Sequence, residues 1–283
     1  MTTGRGAGGG EPLFGLILTP AILVAGSGLL WWLVGMRPLD SIEARSLNAT
    51  VLVDALLTHL VLSVAATGAV IILGIPLGVL LSRPGARGVR SMAMPLLNLA
   101  QALPTIGVLV LIAVATGTLG FGAALIGLIL CSIIPVVLNT VTGMLGVSAA
   151  AIEAATGIGY TQWQRILHIE FPLATPTIFA GLRTALVMNV ASATLGAYIN
   201  AGGLGTIIVA GLANNRPIVQ VSGAALTAIA ALAIDYLIGL AQPSLTRGRR
   251  VHAARPTTSH LPQSNPPARA GGLPTIETRK SNA

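Results

Sequence analysis

Long apolar runs separated by short basic loops constrain this chain more than any other feature. A helix needs about 20 predominantly apolar residues to cross the hydrocarbon core of a bilayer. Six stretches approach or exceed that length: 13–35, 59–81, 92–115, 121–145, 175–198 and 222–240. Of the 283 residues, 53% are hydrophobic and only 8% charged, whereas a soluble domain carries about 25% charged side chains. No soluble core of this size could enclose so much apolar surface, and a lipid-facing surface removes the need. The expected fold class is an all-α membrane protein with about six transmembrane helices. A further apolar piece, 205–213, is too short to span and reads as re-entrant or surface helix.

Charge orients the loops. Arg83, Arg87 and Arg90 lie between the second and third stretches, Arg165 between the fourth and fifth, and Arg247, Arg249 and Arg250 after the sixth. Loops of the opposite parity hold Arg37, Arg45 and Arg216. The positive-inside bias therefore puts both termini in the cytoplasm: 1–12 as a cytoplasmic N-terminus, and 246–283, rich in Pro, Ser, Thr, Arg and Gly, as a disordered cytoplasmic tail. Basic residues spread over loops and tail suit anionic lipid rather than nucleic acid, despite a net charge of +8. The first stretch is longer than a signal-peptide core, no A-x-A site follows it, and Trp31-Trp32 suits an interfacial anchor. It is expected to remain as an N-terminal transmembrane helix over 13–35. Cys131, the only cysteine, sits in an apolar run, so neither an intrachain disulfide nor a Cys-based metal site is expected.

The segment between the fourth and fifth stretches carries the functional information. It reads Ile152-Glu-Ala-Ala-Thr-Gly-Ile-Gly-Tyr-Thr-Gln-Trp-Gln-Arg-Ile-Leu-His-Ile-Glu-Phe-Pro172. Gly157 and Gly159 permit a tight bend. A second short helix then runs from Tyr160 to Ile169, with Trp163, Ile166 and Leu167 on one face, and Pro172 is expected to end it. An exposed aromatic and aliphatic face on the cytoplasmic side suits a partner's groove, and an amphipathic stretch lying on the bilayer surface has the same pattern.

This segment resembles the EAA loop of ABC-importer permeases, E-A-A, three residues, G, nine residues, I-x-L-P. Glu153, Ala154, Ala155, Gly159, Ile169 and Pro172 fall in register, and Phe171 replaces the usual Leu. The resemblance implies that the loop over 152–172 is a coupling helix seated in a cleft of an ATPase subunit, that Gly159 makes the bend, and that Tyr160 and Trp163 belong to the inserted part. A P-loop needs a Lys after its Gly-rich turn, and the only Lys is Lys280, with no such motif around it. The chain is thus read as no enzyme and as binding no cofactor itself, with ATP and Mg on a partner ATPase dimer.

Elsewhere the chain resembles the osmoprotectant (glycine betaine, choline, carnitine, proline) uptake permeases. His59-Leu60-x-x-Ser63, Gly74-Ile-Pro-Leu-Gly78, Gln101-Ala-Leu-Pro104, Pro135-Val-Val-Leu-Asn-Thr140 and Ala201-Gly-Gly-Leu-Gly205 occur in that family's order. Asn200 and Leu138 depart from it, standing where Gly and Arg are usual. Methionine permeases share the Gly-rich stretch. The resemblance implies a type I importer permease domain over 57–241, a five-helix core with one added N-terminal helix, in the bacterial inner membrane. It also implies a second permease subunit, identical or paralogous, and an extracytoplasmic substrate-binding protein. Pro104, Pro135 and the Gly202-Gly203 turn should interrupt regular helix and free backbone carbonyls, as tolerated where backbone lines a water-filled path. Gln101, Asn139, Thr140, Ser192, Thr194, Asn200 and Gly205 are the remaining candidates for that path, with interhelical hydrogen bonding as the alternative role of the polar ones.

Three ionisable residues lie in or near the apolar stretches: His59, Arg183 and Asp235. Arg183 suits snorkelling to the cytoplasmic interface, and Asp235 a structural pair or a place near a polar interface or, in a proton-coupled transporter or channel, a functional acid. With three Trp, three Tyr and four Phe, the chain offers no aromatic cluster for a quaternary ammonium. Tight selection of a betaine would then fall to a separate protein.

Overall fold

The computed structural model describes residues 11–36 and 38–246. The expected tail and the first ten residues lie outside the described part. Helices α1 (Glu11–Gly35), α2 (Ser41–Ser46), α3 (Ala49–Ser82), α4 (Arg87–Ala100), α5 (Thr105–Thr116) and α6 (Phe121–Leu145) precede the functional loop. The loop holds α7 (Ala149–Gly157), α8 (Gln162–Arg165) and a π turn, Ile166–Glu170. Then come α9 (Phe171–Ser192), a 3₁₀ stretch Ala193–Ile199, α10 (Gly205–Ala213) and α11 (Pro217–Thr246). Five of the described helices or helical runs are long and apolar enough to cross a membrane, six if α4 and α5 count as one broken span.

Local sequence explains the boundaries. Asn48 caps α3 by accepting from Val51 N–H at 2.9 Å. Asp40 caps α2 in a capping box with Glu43, and Arg216, in the turn before α11, brings its Nε within 2.7 Å of Asp40 Oδ2. That contact is an ion pair by distance, without hydrogen-bond alignment. The Glu43 backbone N–H first, then the Ile42 N–H and Arg216, hold the Asp40 carboxyl below its ordinary range. The short piece over 205–213 is helix α10, folded back on α11.

The core is the three-helix seam of α3, α6 and α9. Small residues allow close approach: a Cβ on Gly78 of α3 would lie 2.5 Å from Thr140 Cβ on α6, and one on Gly181 of α9 would lie 2.6 Å from Asn139 Cβ. Val70, Val136 and Ala185 fill the space between them. α1 packs chiefly on α11, leaving an apolar groove of about 330 Å³ beside Leu30, Trp31, Leu226 and Ile229.

Several expectations are corrected. The second span begins ten residues earlier than 59, at Ala49, and places His59 in mid-helix. The third is not one straight helix: the axis turns by 103° between α4 and α5. The proline at 104 has no N–H and disfavours helical geometry at Leu103. Pro135, by contrast, breaks nothing. It is buried within continuous α6, where neighbouring helices hold the backbone and Asn139 Nδ2 donates to Pro135 O at 2.8 Å. The fifth span starts at Phe171 and tightens into 3₁₀ geometry after Ser192.

Candidate coupling loop and translocation face

The loop is two short helices around one bend. Ser148 caps α7, accepting from Ala151 N–H, and Thr161 caps α8 in a capping box with Gln164. Between them Gly159 has φ +89°, a conformation that side-chain-bearing residues rarely adopt. Pro172 does not end the second helix. It lies in the first turn of α9, where a missing N–H is tolerated, and the preceding π turn sends Phe171 N–H back to Ile166 O. Helix therefore runs without interruption from the loop into the membrane.

That π turn also splits the expected face. Its wider turn carries Ile166 inward, against Met144, Ala174 and Ile178, while Trp163 and Leu167 stay outside, 70% and 60% exposed. With Ile158 and the tilted Tyr160–His168 ring pair they form an exposed apolar patch. Glu153 and Ala154 are exposed, Ala155 is buried, and Ile169 and Pro172 are half-buried.

One residue of the loop went unrecognised in the sequence. Glu170 is buried, yet accepts from Arg83 Nη1 at 2.7 Å and from Arg165 Nε at 3.0 Å. Both arginines counted only as loop charges in the topology. An acid between Ile169 and Phe171 at a membrane boundary was the available signal.

The path candidates do not form one cluster within this chain. Gln101 and Pro104 are exposed at the α4–α5 break. Asn200, at φ +62°, is exposed beside Gly202 and Gly203, whose φ values are +83° and +81°. Ser192 and Thr194 are half-buried, and Gly205 packs directly on the Thr194 backbone. Thr140 is fully buried against Gly78, and Asn139 turns back to its own helix. These last two lie on the helix seam, against Gly78 and Gly181.

A buried polar line extends the His59–Ser63 motif to Thr67 and Asn189. On α3, His59, Ser63 and Thr67 recur at i, i+4 and i+8. His59 Nε2 donates to Val190 O at 2.9 Å, and Asn189 Nδ2 donates to Thr67 Oγ1 at 2.9 Å, so the line ties α3 to α9. Arg183 donates through Nε and Nη2 to both oxygens of Asp235 at 2.6 and 2.8 Å, the structural pair expected of Asp235, joining α9 to α11.

Against known proteins, residues 71–251 match the family described as binding-protein-dependent transport system inner membrane component. The chain belongs to this family. The permease is 37% identical to the osmoprotectant import permease protein OsmY of Salmonella typhimurium, over 74% of this chain and 86% of that protein. It is 34% identical to the glycine betaine/carnitine/choline transport system permease protein OpuCD of Bacillus subtilis, over 71% and 89%. Among solved structures, a chain of the MetNI methionine ABC transporter in inward-facing conformations superposes with a TM-score of 0.58, 25% identity, and coverage of 70% of this chain and 95% of that one. The permease is therefore an ABC-importer subunit of type I fold, built from membrane-spanning helices.

Proposed function

We propose that the permease forms half of the translocation path of an osmoprotectant importer and couples it to a separate ATPase dimer through the loop over 152–172. The observation that carries the coupling is the loop's shape: two capped helices around Gly159 that present Ile158, Trp163 and Leu167 to the surroundings. An exposed apolar patch beside a basic, membrane-proximal end suits a groove on a soluble partner. The positive-inside bias of the basic loops supports a cytoplasmic location for this end and for both termini. The exposed Gln101–Pro104 break and the exposed Asn200 are the positions proposed to face a second permease subunit and the path between them. A substrate-binding protein would deliver substrate on the opposite side.

Glycine betaine, choline and carnitine are proposed as substrates because they are named for relatives at 34% and 36% identity, with an osmoprotectant named for the relative at 37%, all above the 25% of the methionine transporter chain. A proton-coupled route through Asp235 is disfavoured because both its oxygens are held by Arg183.

Two measurements test this. Gly159→Pro forces φ near −65° where +89° is needed. The variant should reach the membrane in normal amount and lose ATP-dependent uptake; normal uptake would refute the coupling role. Labelled glycine betaine uptake, competed with unlabelled carnitine, choline and methionine, tests the substrate. Competition by methionine alone would move the assignment to the amino-acid importers.

A further inference from the structure

Glu170 has a side chain only 4% exposed, and its neighbours Ile166 and Ala174, four residues to either side, are buried. A carboxylate in such a place is strongly unfavourable unless paired and hydrogen-bonded. Each of its oxygens takes one guanidinium: Arg83 on Oε2 and Arg165 on Oε1. The two arginines come from different elements. Arg83 is the C-terminal cap of α3, and its Nε also donates to Val79 O and Ser82 Oγ at 3.1 and 3.0 Å. Arg165 ends α8, and its Nη1 crosses the bend to Thr156 Oγ1 of α7 at 3.2 Å. From the residue just before α9, one carboxylate thus joins the membrane-proximal end of α3 to α8, and Arg165 carries the link on to α7.

α3 also meets the loop through apolar contact, with Ile75 and Val79 packed against the cluster of Ile166 and Met144. Apolar contact is non-directional. Charge-assisted hydrogen bonds from forked guanidinium groups are directional and resist sliding.

We infer that Glu170 is a positioning residue that carries displacement of the docking loop into α3. The inference rests on the docking role proposed above. Glu170 occupies the variable position of the I-x-F-P ending, so the loop pattern itself does not require an acid there. Its removal should leave docking intact and weaken transmission.

The experiment uses the complete importer, with its ATPase and binding protein, in proteoliposomes that take up glycine betaine. Glu170→Gln keeps the shape and one acceptor oxygen, removes the charge, and turns an NH2 donor toward one of the two guanidinium groups. The complex should assemble in wild-type yield and hydrolyse ATP, while uptake per ATP hydrolysed falls about five-fold or more. Arg83→Gln opens the same link from the α3 side and leaves Glu170 paired with Arg165. It should give the same fall, and it decides the matter if Glu170→Gln does not fold. Wild-type uptake per ATP in either correctly folded variant overturns the inference. Loss of ATPase association in Glu170→Gln overturns it as well, because Glu170 would then belong to docking. Trp163→Ala reports on docking alone: if that variant binds the ATPase and couples normally, the docking role fails and the inference falls with it.

Discussion

Trp163 is a large apolar side chain with little to hold it in this chain, at 70% exposure. Trp163→Ala should therefore change thermal stability in detergent by no more than about 0.5 kcal/mol, while co-purification with the ATPase subunit falls sharply. Arg183 and Asp235 present the opposite case, a bidentate pair whose side chains are 41% and 33% exposed. Removing one partner strands a charge. Asp235→Leu alone should cost about 1–2 kcal/mol, less than for a fully buried pair because solvent or a neighbouring surface screens it, and Arg183→Leu/Asp235→Leu should recover most of that loss. Melting of the three variants checks this. If the pair is structural, Asp235→Asn should also leave the pH profile of uptake unchanged; a shifted profile would restore the proton-coupled alternative.

Among the elements, the α3–α6–α9 seam depends on the absence of side chains at its crossing points. Gly78→Leu would drive carbon into Thr140, and overpacking of this kind costs about 1–3 kcal/mol; a lowered melting temperature with normal membrane insertion is the expected result. Apolar length and turn chemistry made the elements legible in the sequence. The spans over 13–35 and 121–145, the short helix over 205–213 and the bend at Gly159 all follow from them. Tertiary context hid the rest. Pro135 reads as a breaker, yet packed neighbours keep α6 continuous around it. Pro172 reads as a stop, yet a π turn converts it into a first-turn proline, and the same turn moves Ile166 off the exposed face. Glu170, Asn189 and Thr67 acquire meaning only once distant segments meet: Arg83 is 87 residues from Glu170, and Thr67 is 122 from Asn189.

In the whole molecule, α1 stands apart from the core. Its described side chains pack chiefly on α11, and none of its apolar window is buried. Deleting residues 1–38 should therefore leave ATP-dependent uptake largely intact in cells, with reduced yield as the main cost; complete loss of uptake in a variant that still inserts would assign α1 a role in transport. The number of spans was legible because hydrocarbon thickness fixes helix length, whereas the pairing of helices was not, since every lipid-compatible face looks alike in composition. The long α3 has a mechanical consequence. Its 34 residues, Ala49–Ser82, form one helix between the caps Asn48 and Arg83, with Pro76 inside it, about 51 Å at 1.5 Å per residue. A helix of that length, tilted as a unit by about 5° at one end, moves its other end by about 4 Å. Leverage of that size approaches the width of a small solute, so under the proposed coupling a modest push at the Arg83 end would become a stroke of that size at the Asn48 end.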